Sequence, residues 1–392
     1  MNSEIKPLNK RIMIVAAEAS STHYAAQLMR EWSKENSSNS ANHYFFGVGS
    51  NEMESLGFNR IGKSEEMAVV GIAEIIEHYG FLKNIFYKLL AESEKNRPDI
   101  VILMDYPDFN LRLAKKLKEM GIKVFYYISP QVWAWRKNRI YDIKAYCEKV
   151  FLLFPFEKAF YDLYEVPNMF VGHPLLDDLN PDLLDSDKVF FQRSKYGISS
   201  KEKVLALMPG SRHSEVEQHF QIQQDVARKL MIKYPHLRLL ICVAPPLSKE
   251  YILQKLENFN LPYILLKEDP NVMISMSDYV LVASGTATLM VGLLEKPMVI
   301  MYKMKWLTGL IGKMLIRNLK FFGLVNLILD EEVAPERKQK FANVNELTGL
   351  LEKFINDEDH VHQTKQKLKK LKTSLGDKGA ASRVVRALNK YL

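Results

Sequence analysis

The chain has 392 residues, 47% of them hydrophobic and 26% charged, which excludes a disordered protein and leaves room for two domains with cores of their own. Its formal net charge of +8, from 54 Lys and Arg against 46 Asp and Glu, is spread too evenly for a nucleic-acid face. It suits anionic partners instead, such as phosphorylated ligands or an acidic bilayer surface. Cys147 and Cys242 have no Cys/His cluster around them and read as reduced, buried thiols. A polar N-terminus that enters a strand directly, and the lack of a long charge-free apolar run, predict a cytoplasmic chain with no transmembrane span.

An apolar run at 12–15 opens the chain as a buried strand, followed by a small-residue turn and a helix over 21–35. Short strand candidates follow at 44–48, 100–104, 124–128, 150–154 and 169–171, mostly separated by helix-length segments. That alternation predicts a parallel sheet covered by helices on both faces. Polar turn material between 177 and 202 interrupts the pattern, which resumes with strands at 204–208, 239–243, 263–266, 279–283 and 298–302. The expected fold class is α/β, with two Rossmann-like doubly wound domains facing each other across a cleft. Residues 1–178 form the first, 179–202 the linker and 203–360 the second. A basic helical segment, 361–392, is expected to pack back across the domains.

In open α/β sheets, ligands collect at the carboxyl ends of strands, and four such ends carry polar groups here. Asp105 follows the apolar strand 100–104, where a carboxylate is costly unless it is hydrogen-bonded or used. It is either a general base or a cap for the helix through 111–120, for which Asp108 is the better-placed residue. Pro209-Gly210-Ser211-Arg212 ends the strand 204–208, and a capping box of Ser214 and Glu217 opens the next helix. A helix start beside an arginine can hold a diphosphate, and it can equally be an ordinary turn. Ser284-Gly285-Thr286-Ala287-Thr288 repeats the pattern after 279–283, and the pair suggests one diphosphate held between two helix ends. The fourth end, Glu18-Ala19-Ser20, is a polar turn expected of any such fold.

The histidines show no metal-binding spacing, and no metal or cofactor is expected. His173 reads as a satisfied loop histidine, while Trp133 and Trp135 fit either core or a sugar or acyl pocket. Ile72, Ile75, Ile76, Tyr79, Leu82, Phe86 and Leu89 recur at helical spacing as a core stripe. Phe81 and Ile85 fall off it on the side expected to be wet. Ile75, Ile76, Tyr79, Phe81, Leu82 and Ile85 are therefore expected to form a membrane or acyl patch. Residues 303–322 mix Trp306, Leu307, Leu310, Ile311, Leu315 and Phe321 with Lys305, Lys313, Arg317 and Lys320, a composition suited to a helix at an anionic interface.

Five strings together resemble the lipid-A-disaccharide synthases: 98–110, 128–136, 154–161 with 171–174, 205–217 and 283–289, with a looser match at 324–336. Ser129-Pro130-Gln131-Val132-Trp133-Ala134-Trp135-Arg136 is the most specific of them. The resemblance implies a GT-B fold and inverting transfer of 2,3-diacylglucosamine from UDP to 2,3-diacylglucosamine 1-phosphate. The product is a β-1,6 disaccharide, and UDP is released. It implies Asp105 as base and Arg212, with the Gly210-Ser211 turn, at the UDP diphosphate. Ser284, Gly285, Thr286, Tyr302 and Asn326 fall on donor-side positions. Glu18, Ser20 and Asn110 are further candidates, at the acceptor or N-terminal turn. Acylated substrates, which the resemblance implies, would be drawn partly out of a bilayer, and with the interleaved apolar and basic stretch this makes an anionic inner-leaflet surface an expected partner. Two departures stand out: the family's Gly-Glu-x-Ser-Gly-Asp reads Ala17-Glu18-Ala19-Ser20-Ser21-Thr22 here, and Met290 replaces a usual glutamate. A thioether cannot accept as a carboxylate does. These changes leave open a related transferase with another nucleotide-sugar or acceptor, and a catalytically silent membrane-peripheral protein.

Overall fold

The computed structural model describes residues 9–37, 43–67, 75–134, 136–303 and 320–392, with 36–37 and 75–79 described in backbone only. The chain divides into two compact units, residues 1–177 with 376–392 and residues 178–375.

The first unit is built on seven parallel strands: β1 (Arg11–Ala16), β2 (Tyr44–Gly49), β3 (Asn59–Lys63), β4 (Ile100–Met104), β5 (Lys123–Tyr127), β6 (Lys149–Leu152) and β7 (Asn168–Phe170), in the order β3-β2-β1-β4-β5-β6-β7. β1 and β4 are buried along almost their whole length, which is why they read as unbroken apolar runs. The helix Pro107–Glu119 turns Phe109, Leu113, Ala114 and Leu117 inward and leaves Arg112, Lys115 and Lys116 in solvent. The second unit carries six parallel strands: β8 (Lys203–Met208), β9 (Leu237–Cys242), β10 (Ile264–Leu266), β11 (Tyr279–Ala283), β12 (Met298–Tyr302) and β13 (Glu336–Lys338), in the order β10-β9-β8-β11-β12-β13.

Both sheets reverse direction of growth once, between β1 and β4 and between β8 and β11. These are the crevices where doubly wound sheets bind ligands. The four strand ends that stood out in the sequence lie at these two reversals.

Residues 179–202, expected as a linker, hold a 3₁₀ turn (Pro181–Leu184) and a helix (Ser186–Ser194). Arg193 fixes that helix to the second unit through Asp278 (2.9 Å) and the Met276 carbonyl (2.8 Å). The C-terminal segment divides between the units. The helix Glu358–Ser374 packs on Thr286–Leu293 and Leu324–Leu329 of the second. The helix Ala380–Leu388 packs on Ala19–Ser37 of the first, where the Asp177 carboxylate accepts from the Gly379 and Ala380 amides at 2.5 and 3.1 Å.

The expected apolar patch needs correction. Ile85 is 4% exposed, and with Leu89 it belongs to the core of the first unit; Phe81 is half-buried against the same core. Positions 81, 85 and 89, four apart on one face of the helix Ile75–Lys95, turn toward the sheet, where Ile85 lies over Gly62 and Val48. Leu82 and Phe86 fall at the margin of that face and are only half-buried. The side chains of Ile75, Ile76 and Tyr79, and all of Ile72, lie outside the described residues, as do Trp135 and 304–319 of the expected interfacial stretch. Among the described residues no helix is long and apolar enough to cross a membrane. Cys147 and Cys242 are buried free thiols whose pKa values burial pushes up to about 12.

Candidate functional site

At the end of β4 the backbone takes two successive left-handed residues, Asp105 (φ 50°) and Tyr106 (φ 46°). Such a conformation costs about 1 kcal/mol or more per non-glycine residue and persists only where neighbours enforce it. Here the Asp105 amide donates to the Ile128 carbonyl (3.1 Å), and its own carbonyl accepts from Tyr126 Oη (2.5 Å) and Asn110 Nδ2 (2.7 Å). Asn110 Nδ2 also reaches the Met104 carbonyl (3.1 Å), and Asn110 is fully buried. Asn110 thus acts as a brace that fixes Asp105. Ile128 (φ 61°) and Arg136 (φ 51°), in the segment after β5, are left-handed too, so backbone strain concentrates around this strand end.

The helix after Asp105 begins at Pro107 with Tyr106 in the capping position, so Asp108 is not the cap it was expected to be. Asp108 lies in the first turn, and its exposed carboxylate pairs with Arg136 (2.9 Å) and with Arg139. Glu18, after the adjacent β1, is close enough that its charge and that of Asp108 help burial to raise the Tyr106 pKa. The hydroxyls that replace the family pattern in that turn close on their own backbone, Ser21 on Glu18 and Thr22 on Ala19. Ser20 is half-buried in the same first turn of the helix.

The tryptophan string is anchored by Glu157, a residue the sequence reading passed over. Glu157 is 3% exposed and accepts from Trp133 Nε1 (3.3 Å) and the Phe154 amide (3.1 Å). Burial pushes its pKa from 4.5 to about 7, and these two hydrogen bonds only partly offset the shift. Between those two values the folded chain holds a proton that the unfolded chain has released. Stability therefore falls as pH rises through that window, by about 3 kcal/mol. Glu157→Gln is expected to flatten denaturation midpoints between pH 5 and 8. An unchanged pH dependence in that variant would place the titrating group elsewhere. His173, buried nearby against Tyr24 and Phe154, accepts from the Leu175 amide at 3.2 Å, as a satisfied loop histidine does.

In the second unit, the helix His213–Lys233 starts with Arg212 in the capping position. The capping glutamate is Glu215 and not Glu217, because the cap lies at Arg212, two residues before Ser214. Glu215 Oε2 accepts from the Ser211 (2.8 Å) and Arg212 (3.3 Å) amides, while Glu217 pairs with Lys255 and Tyr251 instead. Gly210 (φ 130°) permits this turn, since a Cβ there would meet Glu215 at 2.5 Å. Two amides at the helix start are thus already occupied. The exposed Arg212 is the cation this turn presents.

The next strand end, at β11, presents Gly285 and Thr286, both exposed, at the start of the helix Thr286–Leu293; Ser284 is half-buried, and its amide donates to Met301 (2.9 Å). Tyr302 ends β12 near Arg212 and Glu215, whose charges bear on its hydroxyl while burial raises its pKa. His219, absent from the sequence reading, ties these ends together. Nδ1 lies 3.0 Å from the Pro209 carbonyl, which can only accept, and Nε2 accepts from the Lys303 amide at 3.0 Å. The ring is therefore neutral with its proton on Nδ1, and burial lowers its pKa.

Asn326 does not fit its expected place on the donor side. It is fully buried, and its Oδ1 accepts from Val333 and Ala334 (2.9 Å each) while Nδ2 donates to the Ala334 carbonyl (2.7 Å). Its amide is a latch for the 333–334 turn. Asn326→Ala is expected to cost about 2–3 kcal/mol of stability, read as a lower denaturation midpoint, because buried backbone groups lose their partners. Full stability combined with lost UDP affinity would return Asn326 to the donor site. Among the described residues no group of three or more His, Cys, Asp or Glu could hold a metal ion.

Comparison with known proteins gives this arrangement a family. The model of the lipid-A-disaccharide synthetase family matches residues 12–388. A lipid-A-disaccharide synthase of Geobacter metallireducens is 35% identical over 376 residues, covering 96% of each chain. Lipid-A-disaccharide synthase 1 of Legionella pneumophila subsp. pneumophila is 37% identical over 375 residues, covering 95% of each. Among solved structures, a UDP-GlcNAc 2-epimerase from Neisseria meningitidis superposes with a TM-score of 0.66 at 14% identity, over 97% of this chain and all of that one. The glycosyltransferase of kitacinnamycin gives 0.62 at 13%, over 98% of this chain and all of that one. These likenesses are of fold alone, and with the two parallel sheets they make the architecture GT-B. Matched over nearly its whole length by the family model and by these relatives, the chain belongs to the lipid-A-disaccharide synthetase family.

Proposed function

We propose that this chain transfers 2,3-diacylglucosamine from UDP to 2,3-diacylglucosamine 1-phosphate with inversion, forming the β-1,6 disaccharide of lipid A and UDP. That it is a glycosyltransferase of lipid A synthesis follows from its family; the substrates and residue roles are our reading. The observation that carries it is the placement of Asp105 at the β1/β4 reversal and of Arg212 and Gly285-Thr286 at the β8/β11 reversal. The Asp105 carboxylate takes the proton of the acceptor 6-hydroxyl as that oxygen bonds to the donor's anomeric carbon. The bond from that carbon to the diphosphate oxygen breaks on the opposite face, and UDP leaves with the electron pair. Arg212 and the Gly285-Thr286 turn stabilise the charge growing on the diphosphate.

The test is incubation of the purified chain with both substrates and mass spectrometry of the products. Disaccharide and UDP together support the reading, UDP alone points to another acceptor, and neither product defeats it. Its acylated substrates and net charge of +8 also support reversible contact with an anionic membrane surface. Co-sedimentation with anionic vesicles should weaken at high salt, and equal binding to neutral vesicles would remove the electrostatic part.

A further inference from the structure

Beside the Asp105 turn, the helices Ile75–Lys95 and Pro107–Glu119 enclose a groove of about 520 Å³ that begins at Tyr106 and Pro107. Its floor is apolar: Leu82 and Phe86 from one helix, and Phe109 from the other, whose ring meets Phe86 edge-on at 5.6 Å. Each wall raises one exposed cation to the rim, Lys83 on the first helix and Arg112 on the second. On the same helix Lys116 pairs with Glu119 and Lys118 with Glu148, and neither lines the groove. Lys83 and Arg112 have no ion-pair partner among the described residues. The one carboxylate on the groove, Asp108, is already held by Arg136 and Arg139 and so offers these cations no counter-charge.

An apolar floor under two exposed cations complements an amphiphile with an acyl stem and a compact anionic head. We infer that this groove is the acceptor subsite, with Lys83 and Arg112 reading the phosphate monoester of the acylated sugar and the Leu82–Phe86–Phe109 floor taking an acyl chain. The inference rests on the proposed transferase reading, and it adds two specificity residues that lie outside the chemistry at Asp105. A phosphate held at the rim by one cation from each helix fixes the sugar beside the strand end that carries the base.

Binding and turnover test it separately. The probes are a short-chain, water-soluble 2,3-diacylglucosamine 1-phosphate and its counterpart with a free 1-hydroxyl, titrated into the full chain without donor. Lys83→Gln and Arg112→Gln should each weaken the phosphorylated probe about tenfold, as loss of a charge-assisted contact at an exposed rim does. The 1-hydroxyl probe and UDP should bind wild type and variants alike. Arg112→Lys should retain part of the affinity, because it keeps the charge and loses the fork. The inference is overturned if wild type does not distinguish the probes, or if both probes weaken equally. Variants that lose only binding to anionic vesicles also overturn it and make the groove a membrane face. Phosphate-dependent binding lost in the variants, with no disaccharide from wild type, keeps the groove and defeats the transferase reading. Disaccharide formation with an acceptor KM indifferent to both changes does the reverse.

Discussion

Asp105→Asn is expected to slow disaccharide formation by about 10²–10⁴-fold, the usual worth of a positioned general base, while UDP binds as before. The substitution is a clean one here. Asparagine is among the residues that enter the left-handed region most readily, so the φ of 50° at this position is kept. The braces from Asn110, Tyr126 and Ile128 all engage the Asp105 backbone and are untouched by the change. The variant therefore removes proton acceptance and the carboxylate charge while keeping these backbone contacts. Its denaturation midpoint should match wild type, which separates lost chemistry from lost structure. Turnover near that of wild type would make the carboxylate structural and move the base, with Glu18 across the β1/β4 reversal the first candidate.

The fold was legible because the inner strands of these parallel sheets carry their own apolar runs, and the polar residues that interrupt the runs fall at strand ends; the edge strands β3 (Asn59–Lys63) and β13 (Glu336–Lys338) are too polar to stand out. Asp105, Gly210, Arg212 and Gly285 could be singled out on that ground without knowing the strand order. The order then set the end of β1 beside that of β4 and the end of β8 beside that of β11, which no local pattern could show. The errors have local physical causes. Ile85 was misplaced because the phase of the helix Ile75–Lys95 was taken from Leu82 and Phe86, which are half-buried margins, while the face at 81, 85 and 89 meets the sheet. Glu217 stands out in the sequence in place of Glu215 because Ser214 resembles a cap more than Arg212 does, and the cap lies two residues earlier. Asn326, Glu157 and His219 owe their roles to backbone groups 7 to 84 residues away or to burial, and sequence shows neither. A buried amide whose acceptor and donor both face one loop is indistinguishable in sequence from an amide facing a ligand.

Arg212→Ala is expected to weaken UDP binding and to slow transfer by about 10²–10³-fold, the effect of removing one preorganised donor from a developing charge. The capping geometry makes the guanidinium the decisive group in its turn. Glu215 occupies the Ser211 and Arg212 amides ahead of the helix, so the full positive charge of this turn is that of the exposed Arg212 side chain. The truncation should leave the turn intact, because Glu215 caps backbone amides that alanine retains. Arg212→Lys should recover only part of the loss, since a compact ammonium cannot reproduce a planar fork on two phosphate oxygens. Affinity for UDP should follow the order arginine, lysine, alanine, and the gap should narrow as salt rises. Equal UDP affinity in all three forms would detach Arg212 from the diphosphate and leave the Gly285-Thr286 turn, beside it at the same reversal, as the anion site of the second unit.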